Sequence, residues 1–302
     1  MPELPEVETV RRRLHPRLIG QTVTALTVND ELVSPQSEAE LRALLVGRAV
    51  VGTGRRGKWL LLELATPSSR DPAPGTAADG RPDAVAIIHL RMTGRLLFAP
   101  EAEDLGRTPR FTIAFDDGTM LLFFDVRRFG RIWAFTPDDA AYFLDSRVGV
   151  EPLGEGFTVA HLREQLEGRR APLKSVLLDQ RRLAGVGNIY ADEALFRARL
   201  HPLRQAGGVG PRETARLHAA IRETLELGIS HEGSSIESFV DPAGARGRFQ
   251  TILNVYQRTG LPCRVCGTPI ERIVLGGRGT HFCPHCQPLR RRESRSVRRA
   301  AK

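Results

Sequence analysis

The chain holds four cysteines, all within residues 263–286, in the order Cys263-x2-Cys266-x16-Cys283-x2-Cys286. Two Cys-x2-Cys knuckles at this separation supply four thiolates to one tetrahedral ion, and zinc is the metal such a set selects. Two disulfides are the alternative use of the same residues. In the zinc reading Cys263, Cys266, Cys283 and Cys286 fill the shell, so the one Zn2+ per chain is structural and has no open position for water. His281 and His285 lie close in sequence but are surplus to that shell. Between the knuckles, Gly276-Gly277-Arg278-Gly279-Thr280 reads as a hairpin tip, with glycines that let the backbone approach a ligand and Arg278 projecting toward it.

A length of 302 residues allows two or three domains, and a hydrophobic content of 41% is enough for substantial cores. Lys and Arg number 44 against 35 Asp and Glu, a formal charge of +9. That balance suggests a polyanionic partner, nucleic acid first, with a merely basic soluble protein as the alternative. No apolar run is long enough to span a membrane, so no membrane partner is expected. The N-terminus is acidic and lacks an apolar signal core, which implies a cytoplasmic protein.

The first nine residues, Met1-Pro2-Glu3-Leu4-Pro5-Glu6-Val7-Glu8-Thr9, carry the most unusual chemistry. If Met1 is removed, Pro2 presents a free secondary amine, and α-amino groups titrate near neutrality. Such an amine is a ready nucleophile for a carbon that can become an iminium, and the adjacent Glu3 carboxyl can pass protons at the same centre. A frayed, solvated chain end is the plain alternative. A helix is expected from Pro5, with Val7, Val10, Leu14 and Leu18 facing a core and Gly20 ending it. Arg11, Arg12 and Arg13 are expected on its solvated face, and Glu3, Glu6 and Glu8 as an acidic patch.

Eight short strands follow: Thr22–Val28, Ala49–Thr53, Trp59–Leu64, Val85–Leu90, Arg95–Phe98, Phe111–Phe115, Met120–Phe124 and Arg131–Phe135. They predict an antiparallel β-sandwich or flattened barrel with the helix at its start, within an α+β multidomain chain. Thr66–Asp83, rich in Pro, Gly, Ala and Asp, reads as a surface insertion. Arg55-Arg56-Gly57-Lys58 reads as a basic loop, Met92 sits in a turn, and Arg127 with Phe129 lies on a loop. An arginine and an aromatic so placed suit a protein that unstacks a base pair, although Phe129 also suits a core.

Pro137 to about Gly156 reads as a linker, followed by a helical domain. There Gly185-Val186-Gly187-Asn188 opens a helix over Ile189–Arg197, and a helix N-terminus offers N–H groups and a dipole for phosphate. Asn188 suits a cap or a side-chain donor, and Arg169, Arg170 and Lys174 stand upstream as further phosphate contacts. An amphipathic helix spans about Pro211–Leu227, and Ser230–Gln250 is irregular. The expected domains are 1–137, 150–250, the zinc finger 251–287 and a basic disordered tail 288–302 that adds non-specific DNA affinity.

Pro2-Glu3-Leu4-Pro5-Glu6-Val7-Glu8-Thr9 resembles the N-terminal signature of the bacterial formamidopyrimidine-DNA glycosylases, and the endonuclease VIII group typically has glycine where this chain has Leu4. The Gly185–Glu193 string resembles that family's helix–two-turn–helix motif, and the resemblance extends over about residues 1–287. It implies a base-excision-repair glycosylase and AP lyase that removes oxidised purines (8-oxoguanine, formamidopyrimidines) from double-stranded DNA through a Pro2 Schiff base, then cuts by β,δ-elimination. Glu3 then handles protons, Lys58 is the proton donor in β-elimination, and Arg278 binds phosphate and serves δ-elimination. Met92, Arg127 and Phe129 fill the gap left by the extruded base, with Arg127 on the orphaned cytosine, and Asn188 grips phosphate. Ser230–Gln250 matches the family's mobile loop over the extruded base. The resemblance also implies a monomer working at the bacterial nucleoid. Val126 departs from the usual proline of its motif, and around Thr108 the family's histidines are missing, with Arg107 and Arg110 in their place. A pyrimidine-specific enzyme of the endonuclease VIII kind and a non-catalytic damage binder are the alternatives.

Overall fold

A computed structural model of the chain describes residues 1–67, 81–100, 108–236 and 239–289. Most of the Thr66–Asp83 insertion, Arg107 and nearly all of the basic tail lie outside these residues. The chain divides into two compact units, Met1–Gly149 with Glu226–Ile252, and Val150–Leu225 with Leu253–Lys302.

The first unit opens with α1 (Leu4–Leu18), whose Val7, Val10, Leu14 and Leu18 are buried as their spacing predicts. Then come β1 (Val23–Val28), α2 (Glu38–Leu45), β2 (Ala49–Arg56), β3 (Trp59–Ala65), β4 (Ala84–His89), β5 (Arg95–Pro100), β6 (Phe111–Phe115), β7 (Thr119–Phe124) and β8 (Arg131–Phe135). They form two four-stranded antiparallel sheets, ordered β1-β6-β7-β5 and β2-β3-β4-β8. The inward residues of both sheets, among them Leu26, Phe111, Phe123, Leu60, Leu62 and Ile88, join α1 and α2 in one core. This is the expected sandwich.

Strand β4 is buried along its whole length, whereas β3 alternates. The reason is a helix where a linker is expected: α3 (Pro137–Asp145) starts from Thr136, whose side chain accepts from the Asp139 N–H. Its Ala140 and Leu144 cover Val85 and Ile87 on the outer face of β4, so both faces of that strand are apolar. The Pro-Asp-Asp start that reads as a turn is equally a proline-led first helical turn with acids at its positive end.

The acids and arginines of α1 also depart from expectation. Glu8 does not face solvent: it accepts from Arg11 Nε and Nη2 at 3.0 and 2.8 Å, from Arg12 Nε at 2.8 Å, and from Arg55 of β2 at 3.2 Å. Glu6 is buried, and its carboxylate accepts from the N–H of Glu3 at 2.8 Å and of Ser234 at 2.7 Å. Arg13 pairs with Glu232 and Asp241. The segment is an internal ionic joint, with neither an acidic patch nor a purely solvated arginine face.

In the second unit lie α4 (Val159–Leu166), α5 (Leu173–Leu177), α6 (Asn188–Arg197), most of α7 (Pro211–Ser230), and the hairpin of β9 (Glu271–Leu275) and β10 (Arg278–Phe282). Val255, Cys263, Ile270 and Cys283 pack with Phe196 of α6. Among the described residues no helix is long and apolar enough to cross a membrane.

Burial alone raises the Glu8 carboxyl, but the Arg11 and Arg12 hydrogen bonds and the Arg11 and Arg55 charges outweigh it and hold the group at about 2, below its ordinary 4.5. A carboxyl depressed on folding stabilises above its unfolded pKa and loses that contribution as pH falls through the folded value. Glu8→Gln is therefore expected to lower stability by about 1–3 kcal/mol near neutrality. The difference from wild type, followed by thermal unfolding, should shrink as pH falls from about 4.5 toward about 2.

Candidate functional site

The antiparallel order of β2-β3-β4-β8 brings four chain segments to one end of that sheet. Strand β2 ends there and β3 begins, joined by Gly57-Lys58, with Arg56 paired to Trp59. Gly57 has φ +59° at the first central position, which a tight hairpin turn of this type requires and glycine supplies without strain. Trp59 is paired with His89 at the end of β4, and His89 with Arg131 at the start of β8. The turn after β4 and the loop before β8 therefore leave from the same edge as Lys58.

Helix α1 adds the chain start to this end. It runs antiparallel to β2: the Gly20 N–H meets the Val50 carbonyl, His15 meets Thr53, and Glu8 meets Arg55. Continuing that register carries Glu3 and Pro2 toward the Gly57-Lys58 turn. Pro2, Glu3 and Lys58 are all buried, while Met1 remains 41% exposed. Of the residues expected to react, Pro2, Glu3 and Lys58 thus lie toward one end of this unit, where the chain start is held, whereas Arg278 belongs to the second unit. Lys58 is not on a loose basic loop, since Arg55 and Arg56 belong to β2. His89 is packed edge-on against Trp59, and burial, with the Arg91 and Lys58 charges, lowers its imidazole to about 3, so it is neutral at working pH.

Met92 is half-buried in the turn after β4. In that turn Arg91 adopts φ +55° and its N–H donates to His89 Nδ1 at 2.9 Å. In the loop before β8, Arg127 and Phe129 are exposed, with the Arg127 guanidinium 5.4 Å from the Phe129 ring centroid. Phe129 is therefore no core residue. Sequence reasoning gave no role to Asp125, yet this buried carboxylate organises the loop: it accepts from the N–H groups of Arg127 (3.2 Å), Phe129 (2.9 Å) and Gly130 (2.6 Å). An Asp at the mouth of a loop that bonds the backbone two residues on is the available signal. Arg128 does not point outward with its neighbours: its fork binds both oxygens of Asp30 at 2.9 and 2.7 Å. Arg110 also contacts Asp30, so the residue expected to replace a histidine contact is engaged within the protein. The described residues of the 231–250 loop are tied to α1, with Gly233 against Glu6 and Ser234 bonded to it.

In the second unit Gly187 is the N-cap of α6 and Asn188 the first helical residue. Asn188 spends its amide on the Gly279 carbonyl at 3.0 Å. Lys174 is fully buried: it pairs with Asp192 at 2.7 Å and donates to Thr280 Oγ1 at 2.8 Å and to the Gly279 carbonyl at 3.2 Å. The expected phosphate contact by Lys174 is thus contradicted by a closed internal shell. Arg169 is half-buried, its Nε donating to the Gln165 carbonyl, while Arg170 is exposed. Arg278 is exposed as the first residue of β10, directly after the Gly276-Gly277 turn (φ +55° and +74°). Asn188 and Lys174 together hold the carbonyl next to Arg278, which makes them supports of that hairpin.

The four cysteine sulfurs lie within 4.8 Å of one another, with Cys263–Cys286 at 3.9 Å and Cys266–Cys283 at 3.5 Å. Tetrahedral zinc with Zn–S bonds of about 2.3 Å sets sulfurs roughly 3.8 Å apart, and a disulfide needs about 2.05 Å. The donors fit one structural zinc. Backbone N–H groups of Val265 and Cys286 point at Cys263 Sγ and Cys283 Sγ, each at 3.4 Å, as outer partners of thiolate ligands. His281 bonds Asp192 and stays outside the shell.

Three family models match the chain. The formamidopyrimidine-DNA glycosylase N-terminal domain covers residues 1–132, the H2TH domain of the same enzymes 148–240, and a zinc finger found in FPG and IleRS 260–289. The formamidopyrimidine-DNA glycosylase of Chloroflexus aurantiacus is 44% identical over 289 residues, 95% of this chain and 98% of that one. A complex of a Lactococcus lactis FPG mutant with Fapy-dG containing DNA has a TM-score of 0.84 at 36% identity, covering 95% and 100% of the two chains. The complex of Lactococcus lactis Fpg with abasic-site DNA has the same score at 35% identity, covering 95% and 99%.

Two outcomes are expected from the second unit. Metal analysis should find one zinc per chain, and chelation should unfold the β9–β10 hairpin. Lys174→Ala, which takes the ammonium from Asp192 and leaves that buried carboxylate only its His281 contacts among the described residues, should cost roughly 3–5 kcal/mol in thermal or urea unfolding. It should leave the slope of log binding constant against log salt unchanged, whereas loss of a true phosphate contact lowers that slope by about one.

Proposed function

The chain belongs to the formamidopyrimidine-DNA glycosylase family, and from that premise we propose that it excises oxidised purines, formamidopyrimidines and 8-oxoguanine, from duplex DNA and then cuts the strand at the abasic site. The observation that carries this reading is that the Lys58 turn, the Met92 turn and the Arg127–Phe129 loop leave from one end of the sheet, the end toward which the register of α1 on β2 carries Pro2 and Glu3.

Removal of Met1 frees the Pro2 nitrogen as a secondary amine. An α-amino group titrates near neutrality, so a usable fraction of this nucleophile is unprotonated. The nitrogen attacks the sugar C1′, the base departs, and Glu3 moves the protons this requires. The C1′–O4′ bond then opens with Glu3 protonating the departing O4′, and because proline is a secondary amine the resulting iminium is cationic without protonation at nitrogen. That cation acidifies C2′–H, β-elimination breaks the 3′ C–O bond with Lys58 as proton donor, and δ-elimination at the 5′ side is served by Arg278. Met92, Arg127 and Phe129 occupy the space of the extruded base and offset part of its unstacking, a few kcal/mol. The zinc holds the hairpin that carries Arg278 and takes no part in bond breaking.

We assign the chemistry to 1–137, phosphate binding to 150–250, including Arg169 and Asn188, and to the finger 251–287, and added non-specific affinity to the tail 288–302. The protein acts as a monomer on chromosomal DNA in the bacterial cytoplasm. Asn188 reaches phosphate through the N-terminus of α6, since its side-chain amide is already engaged.

Borohydride trapping on a duplex with 8-oxoguanine opposite cytosine, followed by peptide mass mapping, tests this. A covalent adduct on Pro2, absent with undamaged DNA, is expected. No adduct from zinc-loaded protein shown by mass to begin at Pro2 would sink the reading.

A further inference from the structure

The two turns that carry Met92 and Arg127–Phe129 belong to different strand connections, 33 residues apart between Met92 and Asp125 (125 − 92). They are nevertheless joined. The Thr93 hydroxyl donates to Asp125 Oδ1 and accepts from the Arg127 N–H at 3.2 Å. Asp125 in turn gathers the N–H groups of Arg127, Phe129 and Gly130. One hydroxyl therefore closes a shared network over both turns. A second contact leads to the same pairing. Each turn ends in a glycine against the buried Phe123 ring: a Cβ on Gly94 would lie 2.9 Å from it, and one on Gly130 2.3 Å from it. The ring is a common floor against which both turns pack.

Resting on the function proposed above, we propose that Thr93 is a positioning residue that locks the Met92 turn and the Arg127–Phe129 loop into one rigid unit, so that the three side chains enter a duplex together. Thr93 touches no reacting atom. Its work is to make the insertion concerted: with the joint broken, each turn must be ordered separately at the moment the base pair opens. Hydrogen bonds to a buried carboxylate are among the stronger ones, and this carboxylate has no other side-chain hydroxyl partner among the described residues.

The joint predicts a selective defect. Thr93→Val keeps the shape of the side chain and removes both hydrogen bonds, and Thr93→Ser keeps the hydroxyl. Base-pair opening is followed by stopped-flow fluorescence of 2-aminopurine beside an 8-oxoguanine, and excision is measured on the same duplex. Strand incision is measured in parallel on a single-stranded abasic DNA, where no pair needs opening. Thr93→Val is expected to slow opening and duplex excision by about tenfold or more. It should incise the single strand at the wild-type rate, and Thr93→Ser should restore opening. Should Thr93→Val fold poorly by thermal unfolding, Thr93→Ala and Thr93→Ser are compared in its place, with the serine variant expected to open faster. Wild-type opening in Thr93→Val, or an equal loss on duplex and single strand, would overturn the proposal. A wild-type protein that opens and excises nothing would sink the glycosylase reading itself, so the two failures are separable.

Discussion

The carboxylate of Glu8 fixes the chain start to the strand that leads to Lys58. It bridges the helix that begins the chain and the strand that leads to Lys58, with Arg11 and Arg12 on one side and Arg55 on the other. A chain start is ordinarily frayed, because it has few neighbours and its backbone groups prefer water. Here nine of the first ten residues are buried, and the N–H of Glu3 is satisfied by Glu6. The depressed pKa of Glu8 is the electrostatic statement of the same joint: its anion is worth more to the folded state than to the unfolded one.

The sheet supplies the rest by topology alone. In an antiparallel order, alternate strands start and end at the same edge. Hence the β2–β3 turn, the exit from β4 and the entry to β8 converge although Lys58 and Phe129 are far apart in sequence. Proximity of this kind costs no special interaction; it follows from register. What does require particular residues is the outward aim of single side chains. Arg91 and Arg128 take left-handed φ values of +55° and +60°; the Arg91 backbone N–H donates to His89 and the Arg128 guanidinium binds Asp30. Beside Arg128, Arg127 and Phe129 stand exposed, whereas Met92 is half-buried in its turn.

Much of this was legible in the chain. The eight strands, α1, α6 and the four-cysteine finger follow from alternation, helical spacing and knuckle spacing, all of which are local. The helix α3 was hidden because Pro137-Asp138-Asp139 serves a turn and a helix start equally well, and only the apolar outer face of β4 decides between them. The roles of Asp125, Thr93 and Asp30 were hidden for a different reason. Each acts through a partner distant in sequence, and a short polar side chain carries no period that would reveal it. The zinc site needed no such partner, since all its ligands lie within one hairpin and its flanks.

The sign of a side chain was the least reliable guide. Net charge suggests a polyanionic partner, but it does not say which cations would face it. Lys174, Arg55, Arg110 and Arg128 are each matched to a carboxylate of the protein. Arg127 and Arg278 stay exposed at turns, and neither has a carboxylate partner among the described residues. A buried cation must be paired to remain charged, so its carboxylate travels with it and the pair adds little to the external field. Such pairs cancel internally, so the formal excess of +9 is unchanged but is carried by fewer, unpaired cations. It is greatest where loop and hairpin geometry, rather than composition, leaves an arginine without an internal acid.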